Sequence, residues 1–277
     1  MSADAVLGLI AGQGVFPLEA ARGAQQSGLR VVCVALRDQT DPRIEDAADD
    51  VTWIYPGEVG KGLEAFKAAG VREVVMAGKV TKSDLFQDPD ALRFDAQASD
   101  LMGQLTDRKD DTILGKLADF LKVLGLELLP QYAHAPELLV GKGVLTKTEP
   151  TEAQWDDIRF GFPIAKTMGE LDIGQTVVVR DRAVMAVEAI EGTDATIRRA
   201  GTIAEKTCVV KVAKPSQDPR FDVPTIGPAT VATLAEAGVA VLAFEAGSTV
   251  VLERDVVARD ADAQGIAIVA VDGAEFA

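Results

Sequence analysis

The densest chemistry in the chain is the stretch Lys211-Val-Ala-Lys214-Pro-Ser-Gln-Asp218-Pro-Arg220-Phe-Asp222-Val-Pro-Thr-Ile-Gly227. It places two Lys, one Arg and two Asp in one loop after an apolar run. Cations suit phosphate oxygens, while closely spaced carboxylates suit Mg²⁺ or the activation of water. Pro215, Pro219 and Pro224 stiffen the loop, and stiff loops on a scaffold are where binding residues tend to sit. A solvated, salt-bridged loop is the competing reading. Upstream, Glu188-Ala-Ile-Glu191-Gly-Thr193-Asp194 runs off a strand into a helix start, with Arg198 and Arg199 following. Thr193 and Asp194 could equally be helix caps, and Glu188 an exposed strand residue.

Weaker signals lie nearer the N-terminus. Gly12-x-Gly14 follows an apolar run and opens a helical pattern, the context in which backbone N–H groups hold a phosphate. The third glycine of the dinucleotide fingerprint is missing, since position 17 is Pro, so relief of sterics explains these glycines as well. Gly78-Lys79 puts a cation at the end of another strand-like run. Asp38 could reach a ribose hydroxyl, Asp110 or Asp111 reads as a helix cap, and His134 reads as solvated.

Composition narrows the chemistry. Among 277 residues, 28 Lys plus Arg face 43 Asp plus Glu, a formal net charge of −15. So acidic a chain lacks the basic stripe of a non-specific nucleic-acid binder. One His and two Cys rule out zinc centres built from several such ligands, so a metal would be held by carboxylates and waters, as Mg²⁺ or Mn²⁺ is. Cys33 and Cys208 sit in apolar runs and read as buried thiols in a reducing, cytoplasmic setting. No apolar run reaches membrane-spanning length.

These residues need a scaffold to hold them. Apolar runs at Val6–Ala11, 31–36, 51–55, Glu73–Ala77 and 126–129 lack alternation, as strands buried on both faces do. Helical spacing at 17–26, 60–69 and 111–124 lies between them, predicting α/β architecture with a doubly wound parallel sheet. After an aperiodic connection come a helix at 151–168 and a hairpin of Thr176–Arg180 with 183–189 turning at Asp181-Arg182. Helices at 193–200, 228–237 and 255–264 then alternate with strands at 208–213, 239–244, 249–252 and 266–271, predicting a second α/β domain with a mixed sheet. The expected division is 1–132, a connection at 133–144, and 145–277.

The same segments resemble the UDP-2,3-diacylglucosamine pyrophosphatase family of lipid A biosynthesis, the two-domain type distinct from metallophosphoesterases. The likeness runs through Leu9-Ile-Ala-Gly-Gln-Gly-Val-Phe-Pro17, Ala77-Gly-Lys-Val80, Asp110-Asp111, Glu191-Gly-Thr-Asp-Ala-Thr-Ile-Arg-Arg199, residues 211–227 and Ala243-Phe-Glu-Ala-Gly247. Thr81-Lys-Ser83 departs from the Arg-Pro expected there. The resemblance implies a Rossmann-like N-terminal domain and a C-terminal α/β catalytic domain. It further implies Mg²⁺-dependent hydrolysis of a lipid-linked UDP-sugar to lipid X and UMP, water attacking the sugar-linked phosphorus, by a cytoplasmic homodimer in transient contact with the inner membrane. Fitting the residues to that chemistry assigns Asp222 and Asp218 to the metal or attacking water. Lys211, Lys214 and Arg220 go to phosphate oxygens. Glu188, Glu191 and Asp194 are further metal ligands, and Arg198, Thr193, Gly12, Gly14 and Lys79 further substrate contacts. The 160–168 stretch is a candidate lining for the acyl chains. Two other classes stay open: a nicotinamide-dependent oxidoreductase resting on Gly12-x-Gly14, and a non-catalytic nucleotide-sugar or lipid-binding protein.

Overall fold

The computed structural model describes residues 5–79, 95–103, 110–215 and 217–276, with no side-chain description at 100–103 and 110–113. The side chains of the expected caps Asp110 and Asp111, and the Thr81-Lys-Ser83 departure, lie outside it. The chain forms two compact units, Met1–Pro136 with Pro219–Phe221 and Glu137–Asp218 with Asp222–Ala277.

The first unit is a five-stranded parallel sheet in the order β3-β2-β1-β4-β5. Its elements are β1 (Val6–Ala11), α1 (Phe16–Gln26), β2 (Arg30–Leu36), β3 (Asp50–Ile54), α2 (Val59–Ala69), β4 (Glu73–Ala77), α3 (Ala96–Gly103), α4 (Asp110–Val123) and β5 (Glu127–Leu128). Every residue of β2 after Arg30 is buried, which is why its apolar run shows no alternation. The winding reverses between β1 and β4, so the ends of those strands meet where open α/β sheets take ligands.

The second unit holds β6 (Gly143–Val144), α5 (Glu152–Glu170), β7 (Thr176–Arg180), β8 (Ala183–Val187), α6 (Thr193–Gly201), β9 (Cys208–Lys211), β10 (Thr225–Ile226), α7 (Pro228–Glu236), β11 (Val241–Glu245), β12 (Val250–Val251), α8 (Arg254–Ala263) and β13 (Ala267–Val271). Its main sheet runs β6-β13-β11-β9-β7-β8, and β10 pairs with β12 apart from it. Strands β9, β11 and β13 are parallel; β6 and β7 run antiparallel to them on the flanks, and β8 pairs antiparallel with β7. The mixed sheet expected from sequence is thus present. Gly143–Val144, inside the stretch read as connection, is one of its strands.

Helices cover both faces of that sheet. Ile158, Phe162 and Ala165 of α5 pack with Val177, Val179, Cys208, Val210, Ala243 and Val269. On the other face Ile197, Val231, Leu234 and Val257 pack with Val178, Val209, Leu242 and Ile268. Alternate strand residues go to opposite cores, as the two-residue side-chain period dictates. Phe162, Ala165 and Met168 are therefore core, which corrects the expectation of an acyl cleft lined by 160–168. A Cβ at Gly161 would come within 3.0 Å of Val179 and Val210, so glycine lets α5 lie close on the sheet. Thr151 caps α5 by accepting the Gln154 N–H, and the Gln154 side chain accepts the Thr151 N–H.

Asp157, buried in α5, closes the β7–β8 hairpin. Its carboxylate accepts the backbone N–H groups of Asp181 (3.2 Å) and Arg182 (2.6 Å). Both turn residues have positive φ, 52° and 57°, as the tight turns of two-residue hairpins require. The buried carboxylate offsets the strain of two non-glycine residues there.

Candidate functional site

The parallel strands β9, β11 and β13 end together at Lys211, Glu245 and Val271. Lys211 is buried (7% exposed), and its ammonium donates to the Thr225 carbonyl at 3.2 Å, tying the start of the charged loop to its end. Beyond the ladder, Ala213 is held by side chains. Its N–H donates to Glu245 Oε2 (2.9 Å), and its carbonyl accepts from Lys166 Nζ (3.0 Å). Lys166 and Glu245 pair at 3.1 Å, both half-buried. Neither residue was assigned a role from sequence. The signal lay in Glu245 ending the strand beside β9, but a lone Lys in a helix offers no cue to its partner.

Lys214 follows. Its backbone N–H donates to Gln217 Oε1 (3.0 Å), the Gln217 N–H donates to its carbonyl (3.1 Å), and its ammonium pairs with Asp172 at 2.9 Å. Asp172 sits just past the end of α5 with φ of 55°, a left-handed conformation uncommon outside glycine. Asp218 and Asp222 lie on one turn, where the Asp222 N–H donates to the Asp218 carbonyl at 2.9 Å. Lys211 thus ends β9, and Lys214, Asp218 and Asp222 follow on the chain that leaves it.

The other expected contributors are held elsewhere. Glu188 is buried, accepting from the Gln175 N–H (3.3 Å) and from the Thr193 hydroxyl (2.9 Å), so it joins two loops. Glu191 accepts from Arg199 (2.6 Å) and from the Ala189 N–H (3.2 Å). Hydrogen bonds from its own backbone and from the Arg199 guanidinium hold its carboxyl below the usual range. Asp194 is exposed in the first turn of α6. Arg198, expected at a phosphate, instead pairs with Glu236 of α7 at 2.9 Å and reaches the Thr233 hydroxyl. Among the described residues no three His, Cys, Asp or Glu side chains gather closely enough to hold a metal by themselves. Of the further metal ligands expected, Glu188 and Glu191 are thus each bonded within local networks of their own.

Arg220 belongs to the first unit with Pro219 and Phe221, its guanidinium 5.6 Å from the Phe221 ring centre. Phe221 packs on the core that holds Phe66 and Val74, and the Gln131 N–H donates to the Pro219 carbonyl (2.8 Å). One loop, read from sequence as a single run, contributes to two units.

In the first unit Gly12 and Gly78 bring two backbones together. The Gly12 N–H donates to the Ala77 carbonyl, and Gln13 and Lys79 exchange backbone bonds at 2.7 and 3.0 Å. A Cβ on Gly12 would sit 2.4 Å from the Lys79 carbonyl oxygen, and one on Gly78 2.7 Å from that of Gln13. These glycines serve close backbone approach, and the donors at 12 and 13 are already taken, which corrects the phosphate-cradle reading of Gly12. Gly14 has φ of 100° with open space around it, and Lys79 is exposed. Thr40 seals the β1 and β2 ends, donating to the Ala11 carbonyl (2.6 Å) and accepting the Leu36 N–H (2.9 Å). Asp38 is exposed beside it. His134 Nε2 lies 3.8 Å from the Glu73 carboxylate.

Both cysteines are buried as expected, and burial pushes the Cys33 thiol up to about 12 and Cys208 up as well. Neither is a thiolate nucleophile.

Comparison with known proteins now decides the family. The model for the LpxI N-terminal domain matches residues 6–138 and that for the LpxI C-terminal domain residues 141–269. The chain belongs to the LpxI family. The UDP-2,3-diacylglucosamine pyrophosphatase LpxI of Caulobacter vibrioides is 34% identical over 283 aligned residues, covering 97% of this chain and 98% of that protein. Solved structures are far more distant. A GalE-like L-threonine dehydrogenase from Cupriavidus necator shares 13% identity at a TM-score of 0.28, covering 44% of this chain and 35% of that one. Biotin carboxylase from Campylobacter jejuni shares 15% at 0.24, covering 71% and 41%. Neither likeness carries functional weight beside the LpxI match. Among the described residues no helix is long and apolar enough to cross a membrane.

Proposed function

We propose that the chain is a hydrolase of lipid A biosynthesis that cleaves the diphosphate of UDP-2,3-diacylglucosamine to 2,3-diacylglucosamine 1-phosphate (lipid X) and UMP. The observation that carries this reading is the end-to-end likeness to the Caulobacter pyrophosphatase. Water adds its oxygen to the sugar-linked phosphorus, the bond from that phosphorus to the bridging oxygen breaks, and the bridging oxygen leaves with UMP.

The charged loop of the second unit supplies groups suited to each part. Lys211 and Lys214 offset charge spreading onto the non-bridging oxygens as the bond breaks. Asp222, or Asp218 on the same turn, aligns the attacking water and accepts its proton. Their donor set fits Mg²⁺ or Mn²⁺, since Mg²⁺ is commonly held by one or two carboxylates together with waters and substrate phosphates. A bound Mg²⁺ or Mn²⁺ would neutralise diphosphate charge and favour departure of UMP. A lipid-anchored substrate would bring the enzyme into transient contact with the inner membrane, and the family resemblance suggests a homodimer.

The test is incubation of the chain with UDP-2,3-diacylglucosamine in H₂¹⁸O, with and without EDTA, followed by mass detection. Lipid X carrying one ¹⁸O and unlabelled UMP are expected, both abolished by EDTA and restored by Mg²⁺. Label in UMP would overturn the direction of attack, and tight binding without UMP release would make the chain a binding protein.

A further inference from the structure

We infer that Lys166 and Glu245 are a positioning pair that fixes the Ala213 backbone and so aims Lys214, the residue that follows it. The β9 ladder ends at Lys211, and Val212 is still tied to the Gln175 carbonyl at 3.0 Å. Past that point a strand's polar groups ordinarily turn to water and the chain loosens. Here Glu245 takes the Ala213 N–H and Lys166 its carbonyl, while the two charges bind each other at 3.1 and 3.2 Å. Gln217 then holds the Lys214 backbone from both sides, so the chain is pinned at 212, 213 and 214 in succession. Lys211 is fixed by the ladder itself, and Ala213 directly precedes Lys214, so its orientation sets where the Lys214 ammonium projects.

An ion pair suits this position for an electrostatic reason. A neutral clamp could hold the same backbone groups, but only a carboxylate accepts the N–H strongly, and a lone carboxylate beside a diphosphate would repel it. Lys166 cancels that charge. The pair holds the loop without adding net field to the site, and loss of the two partners is therefore unequal. Removing Lys166 leaves Glu245 uncompensated next to substrate, whereas Glu245→Gln keeps an acceptor for the N–H and removes the negative charge.

The kinetic part rests on the diphosphatase reading of Lys211 and Lys214; the structural part does not. The experiment compares the parent with Lys166→Met, Lys166→Arg, Glu245→Gln and the double variant Lys166→Met/Glu245→Gln. Each is followed by steady-state hydrolysis of UDP-2,3-diacylglucosamine and by amide hydrogen exchange at Ala213 and Lys214. Lys166→Met is expected to raise KM and lower kcat, on the order of tenfold together, with faster exchange at Ala213. Lys166→Arg should restore activity, and adding Glu245→Gln to Lys166→Met should recover part of the KM, which a purely structural role would not do. The inference is overturned if the variants keep parental kcat and KM, or if activity falls only in proportion to folded protein measured by circular dichroism. Should the parent release no UMP, the diphosphatase reading fails, and exchange at Ala213 unchanged in both Lys166→Met and Glu245→Gln then overturns the clamp itself.

Discussion

The ends of β1 and β4 in the first unit and of β9 and β11 in the second occupy the same position in an α/β sheet, yet they are built oppositely. At the first, glycines let two backbones come into contact, and Gln13 and Lys79 use each other's polar groups. At the second, the chain leaves the ladder and side chains take over its polar groups, so charged residues crowd the strand ends. Sheet topology marks where a ligand can bind. Whether the place is chemically equipped depends on which atoms satisfy the backbone there. Where backbone pairs with backbone the strand ends close on themselves, and where side chains do it the loop can present cations and carboxylates.

The contrast can be broken in a graded series. Asp222→Ala should lower kcat by about a hundredfold or more with little change in the urea midpoint, because it removes a water-aligning carboxylate from a loop rather than a core group. Parental turnover by this variant would move the chemistry away from the charged loop. Gly12→Ala should destabilise by about 3 kcal/mol in urea denaturation, since its Cβ would meet the Lys79 carbonyl at 2.4 Å. Gly14→Ala should cost less, about 1–2 kcal/mol, because only its positive φ opposes a side chain. Equal costs would mean that close backbone contact is not what those glycines serve.

Thr40→Val tests the same closed end through a different bond. It leaves the Ala11 carbonyl and Leu36 N–H without their partner in a buried place, and about 1–3 kcal/mol should be lost. Away from the charged loop, Arg198→Ala removes a surface ion pair, and the urea midpoint should barely move with KM unaltered. A large rise in KM would return Arg198 to the substrate.

A pH titration of stability separates carboxylates that hold structure from those left to chemistry. Asp262 accepts the backbone N–H of Thr148 and then that of Lys147, which hold its carboxyl below the ordinary value. Glu191 is likewise lowered, by its own backbone N–H and by Arg199. In each case the folded pKa lies below the unfolded one, so the unfolded chain takes up the proton first as pH falls. Their stabilisation is complete above the ordinary carboxylate range, near pH 4, and is lost as pH drops through the lowered folded values. Urea midpoints between pH 7 and pH 3 should fall, and Asp262→Asn should flatten part of that fall. The same slope in the variant would show that Asp262 contributes nothing to acid sensitivity.

Much of the fold was legible because its signals are local. Continuous apolar runs mark strands covered on both faces, and β2 and β13 are buried along nearly their whole length. Turn chemistry placed the β7–β8 hairpin at Asp181-Arg182, and Thr151 marked the start of α5. The two-residue strand Gly143–Val144 was not legible, because so short a strand exists only through its partner β13. Nor was the membership of Pro219–Phe221 in the first unit, which depends on what Phe221 packs against.

The site divides along the same line. Residue types alone set the expectation of oxygen ligands and cations, from one His, two Cys and a loop dense in Lys, Arg and Asp. Tertiary structure alone decided which charges meet which partners. Glu188, Glu191, Arg198 and Lys214 are joined to Thr193, Arg199, Glu236 and Asp172, pairings that residue types do not announce. It also brought Lys166 and Glu245 together on Ala213 across long sequence separations. A side chain's charge is written in its residue type, but whether that charge is already matched depends on neighbours that only folding supplies.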